Sequence, residues 1–437
     1  MPAWHAARAM AACRNASSRY CCARWTMAPA VATGACRRAE AIFRGIGVQG
    51  GSAGARMIWV FALAAVALLL LAVHPFVIYP LTLRLFPERD LAPVPSLGAD
   101  RPRLAICMSA YNEARSIRRR MERLIEAADA YGNATIHVYA DGPRDGTIEI
   151  LREFGDRIDL LVSHDRFGKT YGMNLLVARS DSELVMFTDA NVMHDADVIA
   201  KLVAPFGDPE VGCVSARLVY SNADDSPAAA TGAAYWRAEE AIKTIESRTI
   251  GLIGVDGAMF VLRRSEHRPP PPHLIDDLYL SLVVLAGGKR LVSAPDALVY
   301  ERSATEAEEE FVRKRRIACQ AINVHRALWP QLRRLPWPAF YGYLSHRLLK
   351  WVTPFVLLLA ALCALPVAVA LLGVVPVLVL GLGGAALLWG ARALHFGPAE
   401  RIVAALLSLG GVALGGIDSV WGRKTYAVWQ PAESVRD

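Results

Sequence analysis

Two short acidic stretches carry the residue types that chemistry needs. Asp189-Ala190-Asn191 closes the apolar run that begins at Leu184, placing two oxygen-bearing side chains two positions apart. Residues so spaced at a strand end point the same way, so both can reach one hard cation such as Mg²⁺ or Mn²⁺ and hold it against a diphosphate. Asp276-Asp277 is a like-charged pair, in which one carboxylate raises the pKa of the other towards the range a general base needs. Lys169, in Gly168-Lys169-Thr170, offers a cation where a helix opens. Each feature alone has an ordinary structural explanation: Asp276 as a helix cap, Asp189 to Asn191 as a turn, Lys169 as a solvated charge.

These groups must be held by a framework, and the pattern from Arg103 onward supplies one. Strands are expected at Leu104 to Ser109, Thr135 to Ala140, Ile158 to Ser163 and Leu184 to Thr188, with later ones at Val211 to Val219, Ala258 to Leu262 and Arg290 to Ser293. Helices between them are expected over Asn112 to Ala130, from Gly146, and over Lys169 to Arg179. In the first, Ile117, Met121, Leu124, Ile125 and Ala128 form one apolar stripe. Repeated βα units of this kind imply an α/β domain with a mostly parallel sheet covered by helices. Asp189 and Asn191 then lie at a strand's carboxyl end, where open α/β sheets bind ligands.

The 437 residues are 54% hydrophobic, with the apolar residues concentrated at the two ends. Met57 to Thr82 holds no Asp, Glu, Lys or Arg and is long enough for one span; Trp351 to Ala391 is equally free of charge and long enough for two, with a break near Pro366, Gly373 and Pro376. Ile402 to Val420 is a further candidate, interrupted by Asp418. Between domain and spans, Thr305 to Leu328 reads as an amphipathic helix along the membrane, opened by a capping box at Thr305 to Glu308. Glu309 and Glu310 are placed to pair with Arg313 and Lys314, and Trp329, Trp337, Tyr341 and Tyr343 suit an interface.

The resulting division is 57–86 first span, 103–304 catalytic domain, 305–348 interfacial helices, 349–422 membrane helices and 423–437 polar tail. Residues 1–56 carry eight arginines and one acid, Glu40. They read as a transit-type leader, a disordered basic tail, or sequence upstream of a true start at Met57, the last being favoured. The net charge of +7 comes from arginine-rich runs beside apolar segments, which suit anionic lipid and the cytosol; no zinc-finger spacing or aromatic-interleaved basic module points to nucleic acid. Arg84, Arg101, Arg103 and the Arg313 to Arg347 cluster place the middle domain in the cytosol. Three full spans after it would put Arg423 and Lys424 outside, so one apolar segment is expected to be re-entrant or interfacial. Of the eight cysteines, Cys13, Cys21, Cys22 and Cys36 lack CxxC pairing, and the other four read as buried free thiols.

The polar clusters fall in a fixed order: Ser109 to Glu113, Asp141 to Thr147, Gly168-Lys169-Thr170 with Asn174, Asp189-Ala190-Asn191, Gly254 to Gly257, Asp276-Asp277 and Arg313 to Arg316. A P-loop is excluded because position 163 is Ser, and no Gly-x-Gly-x-x-Gly follows an expected strand. The ordered set, over roughly Arg103 to Trp329, resembles the family-2 membrane glycosyltransferases, inverting enzymes of GT-A fold that include synthases of cellulose, chitin, hyaluronan and poly-N-acetylglucosamine.

That resemblance implies a bacterial enzyme of the inner (plasma) membrane that uses a UDP-linked sugar with Mg²⁺ or Mn²⁺ and delivers it to a lipid-linked or glycan acceptor. It implies nucleotide contacts from Tyr111, Glu113, Asp141, Lys169 and Asn174, and metal and diphosphate contacts from Asp189 and Asn191. Asp256, Gly257, Arg313 and Arg316 fall on the acceptor side, and Asp276-Asp277 carries the base, with Asp277 the favoured one. The chain departs from the pattern twice. Asn191 replaces a charged ligand, and Arg313 to Ile317 stands where processive members have Gln-x-x-Arg-Trp, keeping Arg316 but losing Gln and Trp. Transfer of one or a few sugars is therefore expected rather than polymer synthesis. The rivals are a processive synthase and a membrane subunit that binds nucleotide without catalysis. The Arg313 to Arg316 run has its own alternative as a lipid-facing basic patch.

Overall fold

The computed structural model describes residues 52–89, 101–394 and 396–428. The expectations for residues 1–51 and for the end of the tail lie outside them.

Helix α1 (Ser52–Val73) continues through a π turn (His74–Ile78) into a short helical piece, Tyr79–Leu83. The α/β domain follows as β1 (Leu104–Ala110), α2 (Ile117–Tyr131), β2 (Ala134–Asp141), α3 (Thr147–Arg152), β3 (Asp159–Ser163), α4 (Lys169–Arg179), β4 (Leu184–Asp189), β5 (Met193–His194), α5 (Val198–Val203) and β6 (Val211–Tyr220). It is completed by α6 (Pro227–Arg248), β7 (Met259–Arg263), α7 (Asp276–Ala286) and β8 (Arg290–Glu301). Then come α8 (Ala307–Leu332), α9 (Trp337–Gly342), a π turn (Tyr343–Leu348), α10 (Leu349–Leu372), α11 (Val374–Ala393) and α12 (Gly397–Val420).

One eight-stranded sheet runs in the order β3-β2-β1-β4-β7-β6-β8-β5. The first four strands are parallel, and β7 is antiparallel to both β4 and β6. Strand β8 runs parallel to β6, and β5 closes the edge antiparallel to β8. The mostly parallel expectation holds. Both faces are covered, which is why the strands read as unbroken apolar runs. In β1, Ile106 and Met108 face the core shared with α2 and α5, whereas Cys107 faces the core shared with α4 and α7. From β1 the chain steps outward to β2 and β3, then returns to β4 on the other side of β1. This reversal opens a crevice at the carboxyl ends of β1 and β4.

Three boundaries differ from those expected. Helix α2 starts at Ile117, because Asn112 to Ser116 turn over the end of β1 with Asn112 at φ 53°. Helix α8 has Glu306 at its N-cap, one residue beyond the expected Thr305. Strand β8 runs on to Glu301, eight residues past its expected end at Ser293, crossing two register shifts against β6.

Among the described residues, four helices are long and apolar enough to cross a membrane: Gly54–Leu83, Trp337–Leu372, Val374–Ala393 and Gly397–Val420. The second and third form a hairpin broken at Gly373, whose φ of 85° suits a residue without a Cβ. The fourth, α12, lies along α8. A Cβ on Gly411 would stand 2.6 Å from Phe311 O, and one on Gly415 would run into Arg315 O. Small residues permit this approach, as at close helix crossings generally. Charged contacts lock it: Arg315 Nε reaches Asp418 Oδ2 at 2.6 Å, Lys424 Nζ reaches Asp418 Oδ1 at 2.9 Å, and Arg326 Nη1 donates to Ser419 O at 3.0 Å. Of the described cysteines, Cys107, Cys213 and Cys319 are buried and Cys363 is half-buried, all as free thiols.

Candidate functional site

A cavity of about 860 Å³ opens at the carboxyl ends of β1, β2 and β4 and runs along the first half of α8 to the first turn of α10. Tyr111, Glu113, Asp141, Lys169, Asp189, Asn191, Asp256, Gly257, Asp276, Asp277, Arg313 and Arg316 all line it. Asn174 does not: its Nδ2 donates to Pro270 O at 2.8 Å, so it holds the proline-rich loop before α7.

At one end, the Arg166 guanidinium lies over the Tyr111 ring, 3.4 Å from its centre. Asp141 is 2% exposed; its carboxylate accepts from Phe167 N at 2.8 Å and from Gly168 N at 3.1 Å, fixing the loop that opens α4. That loop brings Lys169 into the crevice. Its Nζ lies 2.8 Å from Asp189 Oδ1 and 3.2 Å from Asp276 Oδ2. Burial pulls the ammonium down, but Asp189, Asp276 and Asp277 outweigh it and hold Lys169 above its ordinary range.

Asp277 Oδ1 accepts from Leu278 N at 2.6 Å. Burial, then the adjacent Asp276, pushes the carboxyl up to about 7 against the pull of Lys169. A residue with a side chain at 257 would crowd it, since a Cβ on Gly257 would stand 3.0 Å from Asp277 Oδ2 and 3.4 Å from Lys169 Nζ. Asp256 is engaged from behind: its Oδ2 lies 2.8 Å from Nζ of the buried Lys243, which also holds Glu240 at 2.7 Å.

The run Arg313 to Arg316 turns inward, against its reading as a lipid-facing patch. Arg313, Lys314 and Arg316 line the cavity, and Arg315 binds Asp418. The stretch is amphipathic on a helix packed between the domain and α12, so its basic face has carboxylates to meet. Glu310 takes Arg313 at 3.3 Å and Lys314 at 3.4 Å. The Arg316 guanidinium, lowered to about 10 by burial and by Arg313, lies within electrostatic reach of Asp277, Asp189 and Asp276.

Two sets of residues escaped the sequence reading. The first is Glu301, whose Oε1 accepts from Asn191 Nδ2 at 3.2 Å and whose carboxyl is pushed up to about 7 by burial against the pull of Arg313. The second is a buried charge network on α6. Glu239 Oε1 lies 2.8 Å from Lys350 Nζ and 3.2 Å from His346 Nε2. Glu246 Oε1 lies 2.7 Å from His346 Nδ1 and accepts from Tyr79 Oη at 2.6 Å. Arg347 Nη2 donates to Gly254 O at 2.6 Å. The network ties the first and second membrane helices to the loop that carries Asp256 and Gly257. Its signal was the Ser226-Pro227 helix start, but α6 buries its acids, the reverse of the usual amphipathic pattern.

The chain after α12 returns to this site. Lys424 O accepts from Asn323 Nδ2 at 3.0 Å and Tyr426 O from Gln320 Nε2 at 3.1 Å. Ala427 O rests on Gly168, whose φ of 94° and missing Cβ permit the contact. Tyr426, Ala427 and Val428 line the cavity. Among the described residues, no three His, Cys, Asp or Glu side chains converge tightly enough to hold a metal by themselves.

Residues 105–268 match the model of the family described as Glycosyl transferase family 2, and the sheet is of the GT-A type. The matched segment begins in β1, includes Asp141, Lys169, Asp189 and Gly257, and ends just before Asp276. An N-acetylglucosaminyltransferase of Rhizobium meliloti (strain 1021) is 26% identical over 237 residues, covering 50% of this chain and 52% of that protein. An N-acetylglucosaminyltransferase of Azorhizobium caulinodans is 26% identical over 219 residues, covering 45% and 54%. The chain spans about half the length of these relatives. Among solved structures, the mannosyltransferase PcManGT from Pyrobaculum calidifontis, in complex with GDP-Man and Mn²⁺, aligns with TM-score 0.63 at 21% identity. The alignment covers 83% of this chain and 100% of that one. It shows a shared fold.

Proposed function

We propose that this protein is an inverting glycosyltransferase that works at a membrane, moving one sugar from a UDP-linked donor to a lipid-linked or glycan acceptor. The observation that carries the reading is the convergence of Asp277, Lys169 and Asp189 at the mouth of the β1–β4 crevice, in a cavity that continues to the membrane helices. Asp277 takes the proton of the acceptor hydroxyl as that oxygen forms its bond to the anomeric carbon. The bond from that carbon to the diphosphate oxygen breaks on the opposite face, and the nucleoside diphosphate leaves with the electron pair. Lys169 and Arg316 neutralise the charge that grows on it. Tyr111, Glu113 and the Asp141 loop shape the nucleotide end, and Asp256 and Gly257 border the acceptor end. Asp189 and Asn191 offer oxygen donors of the kind Mg²⁺ or Mn²⁺ takes, and such an ion would supply further positive charge at the diphosphate. Ile317 lines the cavity where processive relatives of the family carry Trp, which favours a single addition.

The reading places the protein in a bacterial inner membrane, with the α/β domain in the cytosol and three crossings, by α1, α10 and α11. Two contacts support this count. Arg392, at the end of α11, pairs with Glu308 at the start of α8 at 3.0 Å, and Ala427 touches Gly168. Both ends of α12 thus lie on the domain's side, and an odd number of crossings between β8 and the tail is incompatible with that. In this reading α12 rests at the interface beside α8, in keeping with the expectation that one apolar segment is re-entrant or interfacial.

The test is UDP release from a panel of UDP-sugars by the detergent-purified full chain with Mn²⁺ and membrane lipid extract. Release with one sugar that depends on lipid and is lost in Asp277→Asn is expected. Release that survives in Asp277→Asn would overturn the mechanism.

A further inference from the structure

Asn191 poses a problem that an aspartate would not. A carboxylate offers oxygen on both sides, whereas a carboxamide has one end that donates and one that accepts. Which end faces the cavity decides whether residue 191 can give an oxygen to a cation–diphosphate pair or presents an N–H instead. The end of β8 resolves the choice. Asn191 lies 3.2 Å from Glu301 through Nδ2 and Oε1. That bond turns the amide nitrogen towards Glu301 and leaves Oδ1 as the end available to the cavity that Asn191 lines.

The backbone fixes the acid that makes this selection. Strand β5 pairs with β8 immediately after the Asp189-Ala190-Asn191 stretch, with Met193 opposite Tyr300, which sets Glu301 beside residue 191. Glu301 O accepts from Ser221 N at 3.0 Å and from Ser221 Oγ at 3.3 Å, so the residue is anchored on its other side. Arg313 of α8 provides the opposing positive charge.

We propose that Glu301 is a positioning residue for donor binding: it orients the Asn191 carboxamide so that Oδ1 faces the metal–diphosphate of the donor. The inference rests on the metal-dependent reading of the site given above. It explains how a chain with Asn in place of an acid keeps an oxygen-presenting site, and it assigns a function to an acid outside the matched family segment.

The test measures Mn²⁺ affinity in the presence of UDP, from the electron paramagnetic resonance signal of free Mn²⁺, with the full chain in detergent. Four proteins form a double-mutant cycle: wild type, Glu301→Gln, Asn191→Asp and the double variant. The amide that Glu301→Gln introduces can donate as well as accept, so it no longer selects the Asn191 nitrogen. Glu301→Gln is expected to weaken Mn²⁺ binding about tenfold in the Asn191 background, the size of effect typical of groups that orient a ligand. In the Asn191→Asp background, where orientation no longer matters, the same change is expected to move affinity by less than about twofold. An equal loss in both backgrounds would overturn the proposal, because a direct ligand or a merely structural residue behaves that way. No loss in either would overturn it as well. A wild type that binds UDP but no Mn²⁺ would instead overturn the metal reading itself, and this inference with it.

Discussion

Replacing Gly257 with alanine should slow the chemical step without emptying the site. The added Cβ would stand 3.0 Å from Asp277 Oδ2 and 3.4 Å from Lys169 Nζ. The second distance is an ordinary van der Waals contact and the first is not. Asp277 cannot retreat as a whole, because its Oδ1 is held by Leu278 N at 2.6 Å. The carboxylate must therefore swing, carrying Oδ2 a few tenths of an ångström from its place. A misplacement of about 1 Å costs on the order of 100-fold in rate, so a shift of roughly half that size predicts about a tenfold loss of kcat. Donor affinity should change by less than about twofold, since binding depends on Lys169 and Asp189, which the methyl barely touches. The assay is steady-state UDP release alongside UDP affinity on the same preparation. Full kcat in Gly257→Ala would refute the placement of Asp277 as the base, and an equal loss in affinity and rate would refute the separation of roles.

Asp277→Asn should lower kcat by about 10²–10⁴-fold, the range for loss of a general base. Because the Asp277 pKa is pushed up to about 7 and the base must be ionised, wild-type kcat/KM should fall as pH drops below about 7. Lys169→Met removes the ammonium that pulls Asp277 down, so the acid limb should move to higher pH; an unmoved limb in a pH–rate profile would sink the assignment. The same raised carboxyl costs stability once ionised, with the cost absent below the unfolded pKa near 3.8 and complete above about 7. Asp277→Asn should therefore raise the thermal unfolding temperature at pH 8 and leave it little changed at pH 4. Glu239→Ala strands Lys350 and His346 and should destabilise the protein by roughly 3–5 kcal/mol, read as an early thermal transition in detergent. A single cysteine at position 425 should be labelled by membrane-impermeant reagent from the same side as one at position 156. Labelling from opposite sides would restore α12 as a span.

The sheet was legible because every strand that builds the crevice is apolar on both faces, as in Leu104 to Met108, and ends in a polar break. Asp141 and Asp189 were legible for the same reason, since each sits where such a run stops, and Lys169 because it opens a helix after Gly168. The rest depended on partners distant in sequence. Glu301 ends a strand that two register shifts carry past its apolar start, so no local pattern marks it. Glu239 and Glu246 look like a solvated helix face until α10 and the Tyr343–Leu348 turn supply their counter-charges, as Asp256 does for Lys243. The Arg313 to Arg316 run looked lipid-facing because no local pattern shows that α12, whose glycines let it pack on α8, covers that helix.

The contact between Ala427 and Gly168 also bears on how the protein is made. The wall of the cleft that closes over the Lys169 loop consists of residues translated long after that loop. A nascent chain that has completed β8 holds all its strands, yet its cleft stays open on that side. That side closes only when the chain that follows α12 reaches the Gly168 turn. Synthesis from the N-terminus thus supplies the strands of the described sheet before the residues that finish the cleft.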